Sequence, residues 1–196
     1  MLWRMLMVDL DHVTYDLDRA VEKFCRRFGY PEADTNVWCY GFGEKGFAPI
    51  YNHMIRDGQM MTMGLIPGVV EALELFHRAG WQINFLTARK AIDGDEECTR
   101  IIQAETRKAM ERDGLLKFGE VIFSPGNKSD YIRKHGCDII IDDHPGTCFD
   151  CSKIPAIHGG MVRAFLRDCP HNKEGEYSDY QPRVACLSEL PSLVLL

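Results

Sequence analysis

The sequence predicts an α/β fold: a Rossmann-like parallel sheet flanked by helices, with a small, mostly helical cap inserted after the first strand. Three observations lead there. The apolar runs Met5-Leu6-Met7-Val8 and Ile139-Ile140-Ile141 lack the polar alternation of a half-solvated strand, so they read as strands buried on both faces. Such runs alternate with amphipathic helical stretches over short connections, the pattern of βαβ units. Two acidic pairs, Asp9-Leu10-Asp11 and Asp142-Asp143, stand directly after two of the runs, where open α/β sheets gather their ligands.

Residues 4–9 make the first strand. A helix follows over 16–28, with Leu17, Val21, Phe24 and Phe28 on one face and Gly29 as its stop. Residues 30–63 are rich in glycine and aromatics and show no clean period. The whole of 15–63 is read as the cap, leaving 1–14 and 64–196 as the core. Pro67 is placed in the first turn of the next helix, whose buried face carries Val69, Leu73 and Phe76 and which ends at Gly80. Trp81 to Leu86 is the second strand. A long helix over 95–112 follows, with Asp93, Asp95, Glu96 and Glu97 complementing its N-terminal dipole. Then come a strand over Gly119–Ser124, a short helix over Lys128–His135, a strand over 138–142 and a fifth strand over 161–166. Residues 172–182 read as polar loop, and no internal repeat or low-complexity tract is present.

At 196 residues the chain is long enough for one domain with a real core. Its formal charge of −6 argues against a long nucleic acid as partner, while a locally positive pocket for a small phosphorylated substrate remains compatible. No run approaches the ~18 apolar residues of a membrane span. The first strand begins almost at once, leaving no room for a leader, and a cytoplasmic location is expected. Eight cysteines are then expected as reduced thiols. Cys148-Phe149-Asp150-Cys151 has the spacing of a zinc half-site that Cys169 and His171 could complete. The favoured reading is a helix with two small apolar residues after Pro145-Gly146. A homodimer is compatible with the sequence, which does not specify the oligomeric state.

Converging carboxylates repel one another unless a cation or shared protons neutralise them, and hard oxygen donors suit Mg²⁺. Four groups stand at successive strand ends: Asp9-x-Asp11, Thr87, Lys128 and Asp142-Asp143. Each has a physical role in phosphoryl transfer. One carboxylate can attack phosphorus, and a second, two residues on, can protonate the leaving oxygen. A hydroxyl and an ammonium can hold the phosphoryl oxygens.

This set, in this order, resembles the haloacid dehalogenase (HAD) superfamily of phosphohydrolases. The similar parts are the apolar run leading into Asp9-x-Asp11-x-Val13, the apolar run ending at Thr87, Lys128 before a short helix, and Ile139 to Asp143. The resemblance implies Asp9 as nucleophile and Asp11 as general acid/base. Thr87 and Lys128 would bind phosphate, and Ala88 and Arg89 are further candidate phosphate-binding residues. Mg²⁺ would sit on Asp9, the Asp11 main-chain carbonyl and the Asp142/Asp143 pair, with Asp142 leaned towards as the direct ligand. Within the superfamily the chain looks most like the 5′(3′)-deoxyribonucleotidase group, through Ile66-Pro67-Gly68, Leu86-Thr87-Ala88-Arg89, Ile141-Asp142-Asp143-His144-Pro145 and Pro170-His171-Asn172. That implies a nucleoside monophosphate as substrate. His12 departs from the pattern, since such enzymes usually carry glycine there; histidine adopts the left-handed conformation more readily than most residues. His12, Trp38, Tyr40 and Phe42 are candidate substrate or base contacts. His144 is assigned to the loop after Asp143, and His171 and Asn172 to either a substrate-facing or a structural role. The alternatives are a phosphatase for a polynucleotide 3′-phosphate or a sugar phosphate, and a catalytically weak scaffold that binds metabolites.

Overall fold

The computed structural model describes residues 3–124 and 126–195, except for the side chain of Trp38. The strands are β1 (Met5–Val8), β2 (Gln82–Thr87), β3 (Val121–Phe123), β4 (Ile139–Asp142), β5 (Arg163–Arg167) and β6 (Arg183–Val184). They form one six-stranded sheet in the order β3-β2-β1-β4-β5-β6. Every pairing is parallel, with Val8 opposite both Phe85 and Ile141. The chain therefore starts in the middle, runs outward through β2 and β3, and returns to the other side of β1 as β4. Between β1 and β4 lies the reversal point at which open sheets of this kind leave a crevice.

Both faces of the sheet are covered, which is why its strands are apolar throughout. Leu6, Val8, Ile83, Phe85, Ile139 and Ile141 face one apolar layer, and Met7, Leu86, Ile140, Ala164 and Leu166 face the other. The helices are α1 (Leu17–Phe28), α2 (Gly43–Arg56), α3 (Val69–Arg78), α4 (Glu96–Arg112), α5 (Lys128–His135), α6 (Pro145–Cys151) and α7 (Leu190–Val194). The first layer takes residues from α1 to α4, and the second takes Ile132 of α5 with Cys148 and Cys151 of α6. Cys148 and Cys151 thus serve as the small apolar residues of a helix. Among the described residues, no helix is long and apolar enough to cross a membrane.

Local chemistry sets the helix ends. Asp16 caps α1 by accepting the Arg19 N–H, and Gly29, left-handed at φ 71°, closes it with an N–H to the Cys25 carbonyl. Asp95 caps α4 through the Cys98 N–H. The start of α3 differs from the sequence expectation. Pro67 lies outside the helix: Pro67-Gly68 makes a turn with Gly68 at φ 82°, and the Val69 N–H closes it onto the Ile66 carbonyl. Three elements were not foreseen. They are α2, which carries Pro49 inside it, the two-residue edge strand β6, and α7. The third and fifth strands are also shifted by a residue or two from their expected spans.

The segment 15–63 leaves and re-enters the core at one place. Tyr15 pairs antiparallel with Leu65, the Asp16 N–H donates to the Gly64 carbonyl, and the Ile66 N–H donates to the Thr14 carbonyl. Its side chains Phe24, Met54 and Met60 belong to the same apolar cluster as Phe85 and Ile102.

Gly119 shows how tightly β3 is fed onto β2. A Cβ at this position would collide with the Ile83 carbonyl, a backbone atom that cannot swing aside. Gly119→Ala is therefore expected to destabilise the fold by about 3 kcal/mol, read as a lower urea midpoint. An unchanged midpoint would mean that β3 can move off β2 at little cost.

Candidate active site

β1 delivers Asp9 into the crevice. The Asp9 N–H continues the ladder to the Ile141 carbonyl at 3.0 Å. The loop then folds back, and the Thr14 hydroxyl donates to the Asp9 carbonyl at 2.7 Å. Asp9 Oδ1 accepts the Leu10 N–H and lies 2.7 Å from Lys128 Nζ. Lys128, the first residue of α5, also reaches Asp142 Oδ2 at 2.7 Å. The other Asp142 oxygen accepts the His144 N–H at 2.9 Å, and His144 in turn caps α6 through the Thr147 N–H. Asp143 Oδ2 meets His171 Nε2 at 2.9 Å. Oxygens of Asp9, Asp142 and Asp143 all lie within 4.8 Å of one another.

Environment separates these acids. Burial raises the Asp9 carboxyl well above the usual carboxylate range; Lys128 opposes this, while Asp142, Asp143 and Asp11 add to it. Asp142 is raised for the same leading reason, against Lys128. Asp143 goes the other way. Burial would raise it, but the His171 hydrogen bond and the charges of His12, His171 and Lys128 hold it below the usual range. Lys128 is held firmly protonated: burial disfavours its charge, and Asp142 and Asp9 more than compensate.

Asp11 lines the cavity, gripped by Arg89. Nη2 lies 2.6 Å from Oδ1, and Nε lies 3.1 Å from both oxygens. The Arg89 side chain is fully buried, donates to the Thr106 hydroxyl at 3.0 Å and lies over the Tyr15 ring. Its guanidinium is thus spent on Asp11, although Arg89 lines the cavity with Thr87, Ala88 and Lys128. The Thr87 hydroxyl accepts the Arg89 N–H at 3.2 Å. His12 takes the left-handed conformation at φ 58°.

Four carboxylates (Asp9, Asp11, Asp142, Asp143) therefore face two fixed cations (Lys128, Arg89). Oxygen donors crowded in this way suit Mg²⁺. The residues present fit the metal.

The cavity holds about 490 Å³. Leu17, Val37, Phe47, Tyr51 and Ile92 give it apolar lining, and His12, Tyr40, Glu44 and His171 also line it. Tyr40 is buried and follows Cys39 in a left-handed pair at φ 57° and 55°. Burial and the nearby Asp18 raise its phenol well above the usual range. Phe42 does not reach the cavity; it stacks on Phe47, ring planes 6° apart. The Trp38 side chain lies outside the described residues. Tyr51 and Glu44, which the sequence reading did not place in the site, come from α2. Their spacing from Phe47, four residues on and three back, was a legible signal once α2 is accepted as a helix.

No family model and no curated protein matches this sequence. Solved structures do match its fold. A predicted phosphatase from Clostridium acetobutylicum superposes with a TM-score of 0.65 at 14% identity, covering 100% of this chain and 99% of that one. CbbY from Rhodobacter sphaeroides, in complex with xylulose-1,5-bisphosphate, gives 0.59 at 13%, covering 96% of each. YfnB from Bacillus subtilis, named as a HAD hydrolase and bound to magnesium, gives 0.56 at 11%, covering 100% of each. At these identities the likeness speaks for architecture. The chain has the parallel, helix-flanked, Rossmann-like fold of the HAD hydrolases.

Proposed function

We propose that the chain is a Mg²⁺-dependent phosphatase that hydrolyses a phosphate monoester, a (deoxy)nucleoside monophosphate, through an aspartyl phosphate. The observation that carries this reading is the juxtaposition of Asp9, Asp11, Thr87, Lys128 and Asp142-Asp143 around one cavity. Asp9 is the nucleophile. Lys128 holds its Oδ1, and among the described hydrogen bonds none falls on Oδ2. Oδ2 attacks phosphorus as the ester bond breaks, and Asp11, entering this step in its protonated form, gives its proton to the departing oxygen and is left as the carboxylate paired with Arg89. Asp11 then takes a proton from water, which attacks the aspartyl phosphate, releases inorganic phosphate and frees Asp9. Arg89 positions Asp11 for both steps. Lys128, the Thr87 hydroxyl and the main chain at Ala88 hold the phosphoryl oxygens, where the transition state carries its charge.

Magnesium, when bound by Asp9, the Asp11 carbonyl and the acidic pair, screens the anionic nucleophile from the anionic substrate. Asp143 suits direct ligation better than Asp142, reversing the lean taken from sequence. Both Asp142 oxygens are engaged, by Lys128 and the His144 N–H, while among the described hydrogen bonds none falls on Asp143 Oδ1.

The substrate class rests on the cavity. Its volume suits a small ligand, and Tyr40, Phe47 and Tyr51 in its lining offer aromatic surface to a base. A sugar phosphate is the second reading, favoured by the bisphosphate in CbbY. The net charge of −6 disfavours a polynucleotide. A binding scaffold would have no need of the uncompensated carboxylates.

Phosphate release from deoxy- and ribonucleotides, a 3′-phosphorylated oligonucleotide and sugar phosphates tests the reading. Mg²⁺-dependent release from nucleotides is expected, with Asp9→Asn inactive and Asp11→Asn slower by about 10²–10⁴-fold. Activity confined to sugar phosphates would overturn the substrate, and none with folded, Mg²⁺-loaded protein would overturn the enzyme. A second measurement follows from the raised Asp9 and Asp142. Folded, these groups keep protons that the unfolded chain has lost, so their contribution to stability falls as pH rises from the unfolded towards the folded pKa. Mg²⁺ relieves that repulsion and competes with those protons. At a hundredfold excess over its Kd it is expected to raise Tm by about 5–10 °C near pH 7.5 and by less near pH 5. An equal shift at both would place the ion elsewhere.

A further inference from the structure

A second group of ligating atoms adjoins the acidic cluster. His12, Asp143, Cys169 and His171 each offer one such atom, all within 4.8 Å of one another. We propose that these four residues form a site for a zinc ion, sharing Asp143 with the carboxylate cluster.

The donors decide the metal. Two imidazoles, a thiolate and a carboxylate are the nitrogen, sulfur and oxygen set that zinc takes and magnesium refuses. The thiolate and carboxylate neutralise the dication. Zinc–ligand bonds of about 2.0–2.3 Å put tetrahedral ligand atoms roughly 3.4 Å apart. With all four atoms within 4.8 Å, the farthest pair needs to close by at most about 1.4 Å.

The surroundings are built. Cys169 and His171 flank Pro170 in one turn of helix, Pro170–Asn172. Asn172 pins that turn, accepting the Cys169 N–H and donating to the carbonyls of Asp143 at 2.8 Å and Arg167 at 2.7 Å. The Cys169 sulfur accepts from Arg167 Nη1 at 2.9 Å and from the Asn172 main chain; burial and Asp143 push its thiol up, so its proton is displaced only as the metal binds. The left-handed turn at His12 lays its ring 4.6 Å from that of His171. Behind it, His12 Nδ1 lies 3.5 Å from Asp18 Oδ1, a buried carboxylate oxygen with no hydrogen-bond partner. A carboxylate behind a ligating imidazole is the usual support of a zinc-bound histidine. Asp18 belongs to α1, so zinc here would tie the inserted helices to the strand ends.

This set differs from the Cys148-x₂-Cys151 half-site considered from sequence, because Cys148 and Cys151 face the apolar layer instead. If the phosphatase reading holds, zinc drawing on Asp143 opposes magnesium; the binding test below does not depend on that reading.

The test is Co²⁺ and Zn²⁺ binding to the full chain after chelator treatment. Expected are about one zinc per chain surviving gel filtration and a Co²⁺ spectrum with tetrahedral visible bands and a thiolate charge-transfer band. Cys169→Ser should abolish the charge-transfer band. His12→Gly, which relieves the left-handed turn, should disturb the visible bands and keeps the test open should the serine variant misfold. Asp18→Asn should weaken zinc about tenfold or more. Asp9→Asn should leave the charge-transfer band in place. Absence of the band in folded protein, or its persistence in Cys169→Ser, would overturn the proposal and leave the cluster as a hydrogen-bond network.

Discussion

The ammonium of Lys128, 2.7 Å from both Asp9 and Asp142, is the interaction on which the rest of the crevice depends. Each of these ions is almost wholly out of water, and a buried charge costs several kcal/mol unless it is matched. The sheet order supplies the match. Because β4 lies beside β1, two strand ends far apart in sequence present their carboxylates side by side. α5 begins with Lys128, whose four-carbon side chain reaches both. Removing the lysine would leave two unmatched buried carboxylates, whereas removing one aspartate leaves the other still paired.

Two different devices keep the remaining acids in place, and the difference has a chemical meaning. Asp11 is balanced by Arg89, whose planar fork fixes the orientation of the carboxylate as well as its charge. Asp143 is balanced by imidazole, which can change its own protonation or bind a metal. The permanent cation thus sits behind the acid whose direction must be defined. The adaptable partner sits behind the acid with an oxygen to spare for a cation.

Much of this was legible in the sequence, for a physical reason. Strands buried on both faces must be apolar throughout, so a carboxylate directly after such a run stands out, and Asp9, Asp11, Asp142 and Asp143 were identified in that way. What stayed hidden lacked a local signal. α2 contains Gly43, Gly46 and Pro49, each unfavourable to a helix, and exists because Phe47, Ile50, Tyr51, Met54 and Ile55 bury together. β6 is two residues long and, among the described strands, pairs with β5 alone. Pro67 signals both a helix start and a turn, and Gly68 decided for the turn. The Arg89–Asp11 pair joins residues 78 positions apart, a contact that periodicity cannot express.

The same hidden contacts join the insertion to the chemistry. The loop carrying Asp11 ends at Tyr15, where the chain crosses into the insertion and pairs with Leu65 on the way back. Arg89 touches both sides of that junction: its guanidinium lies over the Tyr15 ring and donates to the Met63 sulfur while gripping Asp11. Arg112 holds the returning strand through the Met63 carbonyl and pairs with Asp113, which accepts the Tyr15 hydroxyl. The helices at 17–56 join the rest of the chain in sequence through Tyr15 and Met63, both of which touch Arg89. The Asp11 carboxylate is thus held by a guanidinium that also rests on Tyr15 and Met63, at the two ends of residues 15–63. In a phosphatase that arrangement would couple closure over a substrate to the placement of the acid that releases it.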